Sequence, residues 1–119
     1  MSRKYWTLTN YILPEDRHKS SNPERTRNTQ ALLCSDDLIQ WQIRDIVLHH
    51  PDMHTHAFQY LDWLIEGSDL IAVSRTAWDQ PDGQQAICQH HANYLTFHRI
   101  KDFRTRTKPE GSKDVAPAR

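Results

Sequence analysis

The sequence predicts an all-β fold, an antiparallel meander with no substantial helix. Six segments of the 119-residue chain are rich in aromatic and β-branched residues, and polar turns or loops separate them. No segment repeats its apolar residues at helical spacing over the ~11–18 residues that such a pattern needs. The predicted strands span 4–12, 29–35, 41–48, 57–66, 70–75 and 92–100.

The first three predicted strands follow one another through polar segments. Residues 14–28 form a long loop with two prolines, and long loops in compact domains often carry function. Residues 35–37, Ser-Asp-Asp, mark the turn into the third strand. In that strand the alternating pattern places Trp41, Ile43 and Val47 on one face.

The last three predicted strands are more apolar. Residues 57–66 and 70–75 are apolar on both faces, which predicts strands that lie between other layers of structure. Glu66-Gly67-Ser68-Asp69 predicts a tight hairpin between them. A second long polar loop over 77–91 leads to the last strand.

The two groups of three sequential strands indicate a specific architecture. A propeller blade is a meander of four antiparallel strands. The sequence therefore predicts about two incomplete blades of a β-propeller, the first without its innermost strand and the second without its outermost. We interpret residues 1–104 as the C-terminal propeller fragment and the charged, proline-containing residues 105–119 as a disordered tail. The expected partners are the upstream propeller blades of a longer parent, or other copies of the chain through open strand edges.

Composition excludes several function classes. Lys+Arg and Asp+Glu number 15 each, so the chain lacks the basic surplus with which nucleic-acid-binding proteins neutralise phosphates. No apolar run approaches the ~20 residues of a membrane span. The first four residues lack the apolar core of a signal peptide, and the compartment stays unassigned. Cys34 and Cys88 are too few for a disulfide framework.

Several runs resemble one protein family. Residues 35–41, Ser-Asp-Asp-Leu-Ile-Gln-Trp, resemble the Ser-x-Asp-Leu-x-x-Trp turn of sialidase-like glycosidase propellers and are similar to the Asp-box of sialidases, without its glycine. Over about residues 5–104 the chain resembles the C-terminal end of bacterial sialidase-superfamily proteins; the other matching runs are 22–28, 58–63, 72–77, 91–100 and 103–104. One difference is His91, which stands where the family pattern has Asp.

The resemblance implies a glycoside hydrolase propeller that acts on glycans, of which this fragment is inactive in isolation. A secreted or periplasmic parent is compatible with it. Sialidases bind the sugar carboxylate through arginines and use a Tyr nucleophile beside a carboxylate. The candidate catalytic residues are Asp62, Tyr60 and His91; the candidate substrate-binding residues are Arg27, His56, Gln59, Arg75, Trp78 and Asn93. No cofactor and no metal ligand is predicted among them.

Each candidate also has a purely structural interpretation. Asp62 would form an ion pair with Arg75 across the hairpin, and Tyr60 would lie in the core. Trp6, Trp41 and Trp63 are expected in the core because they lie on or beside strands, whereas Trp78 in a loop is the candidate for sugar stacking. These aromatic assignments follow from position in the chain.

Two further functions stay open. A non-catalytic carbohydrate-binding propeller segment is favoured by His91 in place of an acid. A His-based metal-binding protein is suggested by eight histidines, several of them clustered, and His54 and His56 could lie on one strand face. No spacing matches a zinc signature.

Overall fold

The computed structural model describes residues 4–19 and 25–106. Six strands form, β1 (Tyr5–Asn10), β2 (Thr29–Ser35), β3 (Gln42–His49), β4 (Ala57–Glu66), β5 (Asp69–Ala77) and β6 (Tyr94–Ile100). The helical elements of the described part are 3-10 turns, among them Pro14–Asp16 and Phe103–Thr105, and no helix in it is long and apolar enough to cross a membrane. Residues 20–24 of the predicted loop and 107–119 of the predicted tail lie outside the described residues.

The strands form two antiparallel sheets in sequence order, β1-β2-β3 and β4-β5-β6. The predicted all-β antiparallel meander, with two groups of three strands and no substantial helix, is therefore confirmed. We call these sheets the N-sheet and the C-sheet. Sequential strands pair whether a short connection (β2–β3 and β4–β5) or a long loop (β1–β2 and β5–β6) joins them.

The main core lies between the two sheets. The N-sheet contributes Leu8 and Leu32, and the C-sheet contributes Leu70 and Ile100, all at most 6% exposed. Phe103 follows β6 and its ring meets the ring of Trp6 edge to face, with centroids 5.1 Å apart. Full burial of each large apolar side chain stabilises the fold by about 1.5–3 kcal/mol.

A second core covers the other face of the N-sheet. Leu13, from the segment after β1, packs on Ala31 and Ile46, and all three are buried. Ile43 joins this cluster, whereas Val47 packs against the core between the sheets. The predicted common face of these two β3 residues is therefore wrong, because two irregularities in the β2–β3 register interrupt the alternation of side chains.

The turn that the sequence predicted between β2 and β3 is present, and side chains hold it. Ser35 Oγ accepts the N–H groups of Asp37 (3.1 Å) and Leu38 (2.8 Å). The Asp37 carboxylate accepts the N–H groups of Gln40 and Ile39, each at 2.9 Å, and these bonds lower its pKa. Leu38 adopts a left-handed conformation with φ 67°.

Trp41, directly after this turn, is 36% exposed and belongs to neither core. The prediction of a core Trp41 is therefore wrong. Trp6 and Trp63 are partly buried and pack against the main core, as expected. Position beside a strand does not determine burial, because the turn sets the direction in which the next side chain leaves the sheet.

The C-sheet carries one open face, contrary to expectation. Leu64, Leu95 and Phe97 are 56%, 65% and 76% exposed. The sequence predicts that β4 and β5 are buried on both sides, yet no layer within residues 4–19 and 25–106 covers this face. The predicted hairpin is confirmed, with Glu66 opposite Asp69 and Gly67 at φ 63°, the left-handed conformation that a two-residue turn needs at its first position.

Candidate functional site

A bulge in β4 creates the most unusual backbone of the candidate site. Gln59 lies opposite Arg75 and Asp62 lies opposite Val73, so two residues of β4 face a single residue of β5. Tyr60, the first of those two, has φ 51°. Bulges of this kind usually place glycine in the left-handed position, because a side chain there costs about 1–2 kcal/mol.

The Tyr60 ring lies between two arginines. The guanidinium carbons of Arg27 and Arg75 are 5.5 and 5.9 Å from its centroid, within the range of cation–π attraction. Arg27 also donates to Gln59 Oε1 at 3.3 Å. Tyr60 is 66% exposed, so the predicted core position is wrong. The structure thus brings together four of the residues that the sequence nominated.

A polar pocket of about 280 Å3 opens beside this ring, between the sheets. We call it the arginine pocket; its lining residues are Leu8, Thr9, Asn10, Arg27, Gln30, Tyr60 and Leu61. The Gln30 side chain is fully buried and donates to the Phe58 carbonyl at 2.9 Å, while its Oε1 has no hydrogen-bond partner. A buried acceptor without a partner is destabilising, and it is typical of positions that a ligand or water satisfies.

The carboxylate of Asp62 does not lie beside Arg27 and Arg75. Asp62 is exposed on the open face of the C-sheet, and Gln59 rather than Asp62 lies opposite Arg75. The expected Asp62–Arg75 ion pair is therefore absent, because the bulge shifts the register of β4 by one residue. Among the described residues, no acidic side chain lines the arginine pocket.

His91 lies near the end of the loop that leads into β6. Its side chain is exposed, and its N–H donates to the Cys88 carbonyl at 3.0 Å. Within the described residues it does not line the arginine pocket, so the structure does not bring it to Tyr60.

His56 instead belongs to an aromatic cluster at the start of β4. Its ring stacks on the ring of His50, with centroids 3.5 Å apart and planes 7° from parallel. The Trp78 ring meets both imidazoles edge to face, with each centroid distance 4.8 Å. His56 is 1% exposed, and its Nε2 lies 3.1 Å from Asp79 Oδ1, without the alignment of a hydrogen bond.

The hydrogen bonds assign protons within this cluster. The Asp52 carboxylate has a lowered pKa: burial raises it, but bonds from the Thr55 hydroxyl and two backbone N–H groups outweigh burial. Thr55 therefore donates to Asp52 at 2.8 Å, and His56 Nδ1, at 2.9 Å, donates to Thr55. His50 Nδ1 accepts the Asp52 N–H at 3.0 Å. Burial, and then the charge of His56, lower the pKa of His50, which favours its neutral form.

The Asn93 side chain binds the backbone of Trp78. Its Oδ1 accepts the Trp78 N–H at 3.0 Å and its Nδ2 donates to the Trp78 carbonyl at 2.8 Å. The two bonds fix the backbone of the loop at the point where the indole begins. Asn93 thus positions the predicted stacking residue.

The histidines do not assemble into a metal centre in the described part of the chain, where no group of three His, Cys, Asp or Glu side chains could hold a metal ion. His54 is exposed whereas His56 is buried, so these two imidazoles have different surroundings.

Sequence reasoning missed three residues of these sites. Gln30 and Asn10 looked like ordinary strand residues, and Asp79 like a loop acid. A buried amide in a strand is a recognisable signal only when the packing between sheets is known.

Comparisons of the chain with protein-family models, with curated proteins and with solved structures gave no match.

Proposed function

We propose that this chain is part of a sialidase-like glycoside hydrolase β-propeller that acts on glycans, and that it is inactive in isolation. The observation that carries the proposal is Tyr60, held at φ 51° between Arg27 and Arg75. Strained residues concentrate at functional sites, where the surrounding structure maintains them.

The ligand chemistry follows from the arginine pocket. Guanidinium groups bind carboxylates through paired hydrogen bonds; Arg27 lines the arginine pocket, and Arg75 contacts the same Tyr60 ring from outside the pocket lining. Gln30 Oε1 and the Asn10 side chain add polar atoms suited to sugar hydroxyls. A sugar acid combines both features, so the proposed ligand is the acidic terminal sugar of a glycan.

The alternative is a non-catalytic carbohydrate-binding segment. It is favoured by the position of Asp62, which lies on the open face of the C-sheet and not in the arginine pocket. Hydrolysis by a Tyr nucleophile needs a nearby carboxylate. In the proposed enzyme, that carboxylate comes from another part of the parent.

Titration calorimetry with N-acetylneuraminic acid and with its methyl ester tests the ligand. We expect the acid to bind and the ester, which lacks the charge, to bind at least ~10-fold more weakly, because a charge-assisted hydrogen bond contributes about 1.5–3 kcal/mol. Arg27→Ala should weaken binding of the acid by a similar factor. Arg17→Ala is the control, since Arg17 likewise lies over a tyrosine ring, that of Tyr11, but outside the arginine pocket.

Equal binding of the acid and the ester would contradict the proposed site. A fluorogenic sialoside assay separates the two functions: we expect no turnover by this chain, and turnover by a longer parent that contains it. A parent that binds the acid without turnover would establish the binding alternative.

A further inference from the structure

A second cleft, distinct from the arginine pocket, lies between the sheets. It has a volume of about 580 Å3 and is bounded by the end of β3 on one side and by β5 and β6 on the other. Its volume falls within the ~300–1,000 Å3 typical of small-molecule sites. The residues that matter for its chemistry are Phe58, Trp78, Asp79, Tyr94, Thr96 and His98. It shares no lining residue with the arginine pocket, and we call it the aromatic cleft.

The aromatic wall of the cleft is held in place before any ligand arrives. Trp78 is half-buried and packs against His50, His56 and Phe58. Its backbone is fixed on both sides by the Asn93 carboxamide. A rigid ring loses little conformational entropy when a ligand packs on it, which favours binding. Tyr94, 36% exposed, adds a second ring.

Polar groups line the same cleft. The Asp79 side chain is 44% exposed; its Oδ1 is buried and lies 3.1 Å from His56 Nε2, so a ligand would reach the exposed part of the carboxylate. His98 Nε2 lies 2.7 Å from the Thr96 hydroxyl, which lies 2.7 Å from the Thr76 hydroxyl. Burial lowers the pKa of His98, which favours its neutral form.

The charge of the cleft excludes one class of ligand. Among the described residues that line it, none is Lys or Arg, and Asp79 is acidic. An anion would therefore meet the Asp79 carboxylate, and no Lys or Arg side chain among the described lining residues would offset that charge. Ligands that combine an apolar face with several hydroxyl groups suit both the rings and the polar atoms. A pyranose ring has this character, since C–H groups form its face and hydroxyls form its edge.

We infer that the aromatic cleft binds a neutral sugar ring, with its C–H face against Trp78 and Tyr94 and its hydroxyls on Asp79 and His98. This site is additional to the acidic-sugar site proposed above and does not depend on it. In a glycan chain, the two sites would take chemically different units.

Amide and indole NMR of the full chain tests the inference, with methyl glucoside, methyl galactoside and N-acetylglucosamine as probes. We expect saturable shifts of the Trp78 indole N–H, assigned through Trp78→Phe, and of the Thr96 and His98 amides. Asp79→Asn and Tyr94→Leu should each weaken binding about tenfold or more. Trp41→Phe is the matched control, because Trp41 is exposed on a distant turn and should leave the titration unchanged.

Three results would overturn the inference. The first is no shift by the sugars or by tetramethylammonium, and the second is that the sugars still shift the Thr96 and His98 amides in Trp78→Leu. The third is that tetramethylammonium shifts these resonances and the sugars do not. The last result would assign the rings and Asp79 to a cation instead. The spectra of each variant report its fold directly. The arginine pocket and the aromatic cleft are tested with different ligands. If N-acetylneuraminic acid does not bind, the effect of neutral sugars on the Trp78 indole N–H still tests the aromatic cleft.

Discussion

Tyr60 combines an exposed aromatic ring with a backbone conformation that favours glycine. At φ 51° its Cβ approaches the neighbouring carbonyl, while the ring gains contacts with Arg27 and Arg75. Each cation–π contact at an exposed position contributes about 0.5–1 kcal/mol. The strain and the contacts are of similar size, so the side chain adds little to stability, which fits a residue retained for function.

Substitution of Tyr60 separates backbone strain from side-chain contact. Tyr60→Ala removes the ring and keeps the strained Cβ, whereas Tyr60→Gly removes both. We expect Tyr60→Gly to be more stable than Tyr60→Ala by about 1 kcal/mol. Urea unfolding midpoints measure the difference. A glycine variant less stable than the alanine variant would mean that β4 is not held in the left-handed conformation at this position.

At the scale of elements, the C-sheet differs from the N-sheet in having an open apolar face. Leu64, Val73 and Phe97 lie on it side by side, since Val73 pairs with Phe97 across β5 and β6. A contiguous apolar surface of this kind is typical of an interface between proteins. For the chain by itself in solution, the available partner is a second copy.

We expect this face to drive self-association of the isolated chain. Sedimentation should show an average mass that rises with concentration, and the double variant Leu64→Lys/Phe97→Lys should remain monomeric, because charged side chains resist burial. Ile39→Lys is the control, since Ile39 is 80% exposed on the turn before β3. A wild-type chain that stays monomeric at all concentrations would contradict the expectation.

Alternating residues and turn signals predicted the six strands and their order, because both are local properties of the chain. The register irregularities in β3 and β4 could not be predicted, and they decide which face Val47 and Asp62 occupy. For the same reason, the sequence placed Tyr60, Gln59 and Arg75 near one another but paired the wrong residue with Arg75. The arginine pocket and the aromatic cleft depend on contacts between sheets, which no single segment encodes.

At the scale of the whole molecule, buried imidazoles connect stability to pH. Burial lowers the pKa of both His50 and His98, and the nearby charge of His56 lowers that of His50 further. The unfolded chain, with histidine pKa values near ~6.5, therefore binds protons that the folded chain does not. These two imidazoles therefore contribute stability that is fully present above pH ~6.5 and decreases on acidification.

Thermal unfolding between about pH 8 and about pH 5.5 checks this direction. We expect the midpoint to fall as the pH decreases through ~6.5, as the unfolded state gains protons first. His98→Gln should reduce the dependence on pH, because it removes one of the two imidazoles whose pKa burial lowers. His54→Gln removes an exposed histidine for comparison. A midpoint that rises on acidification would show that protonated histidine stabilises the fold on balance.

The backbone of one residue near the start of β4 ties the two sheets together. The Phe58 N–H donates to the Arg27 carbonyl at 2.8 Å, and its carbonyl accepts from Asn10 at 3.1 Å and from Gln30 at 2.9 Å. Within each sheet, the strands that pair follow one another in the chain and can pair quickly. The hydrogen bonds of Phe58 instead join residues up to 48 positions apart in the sequence. We therefore expect the two meanders to dock around Phe58 after their own strands have paired, and the arginine pocket to form only when they dock.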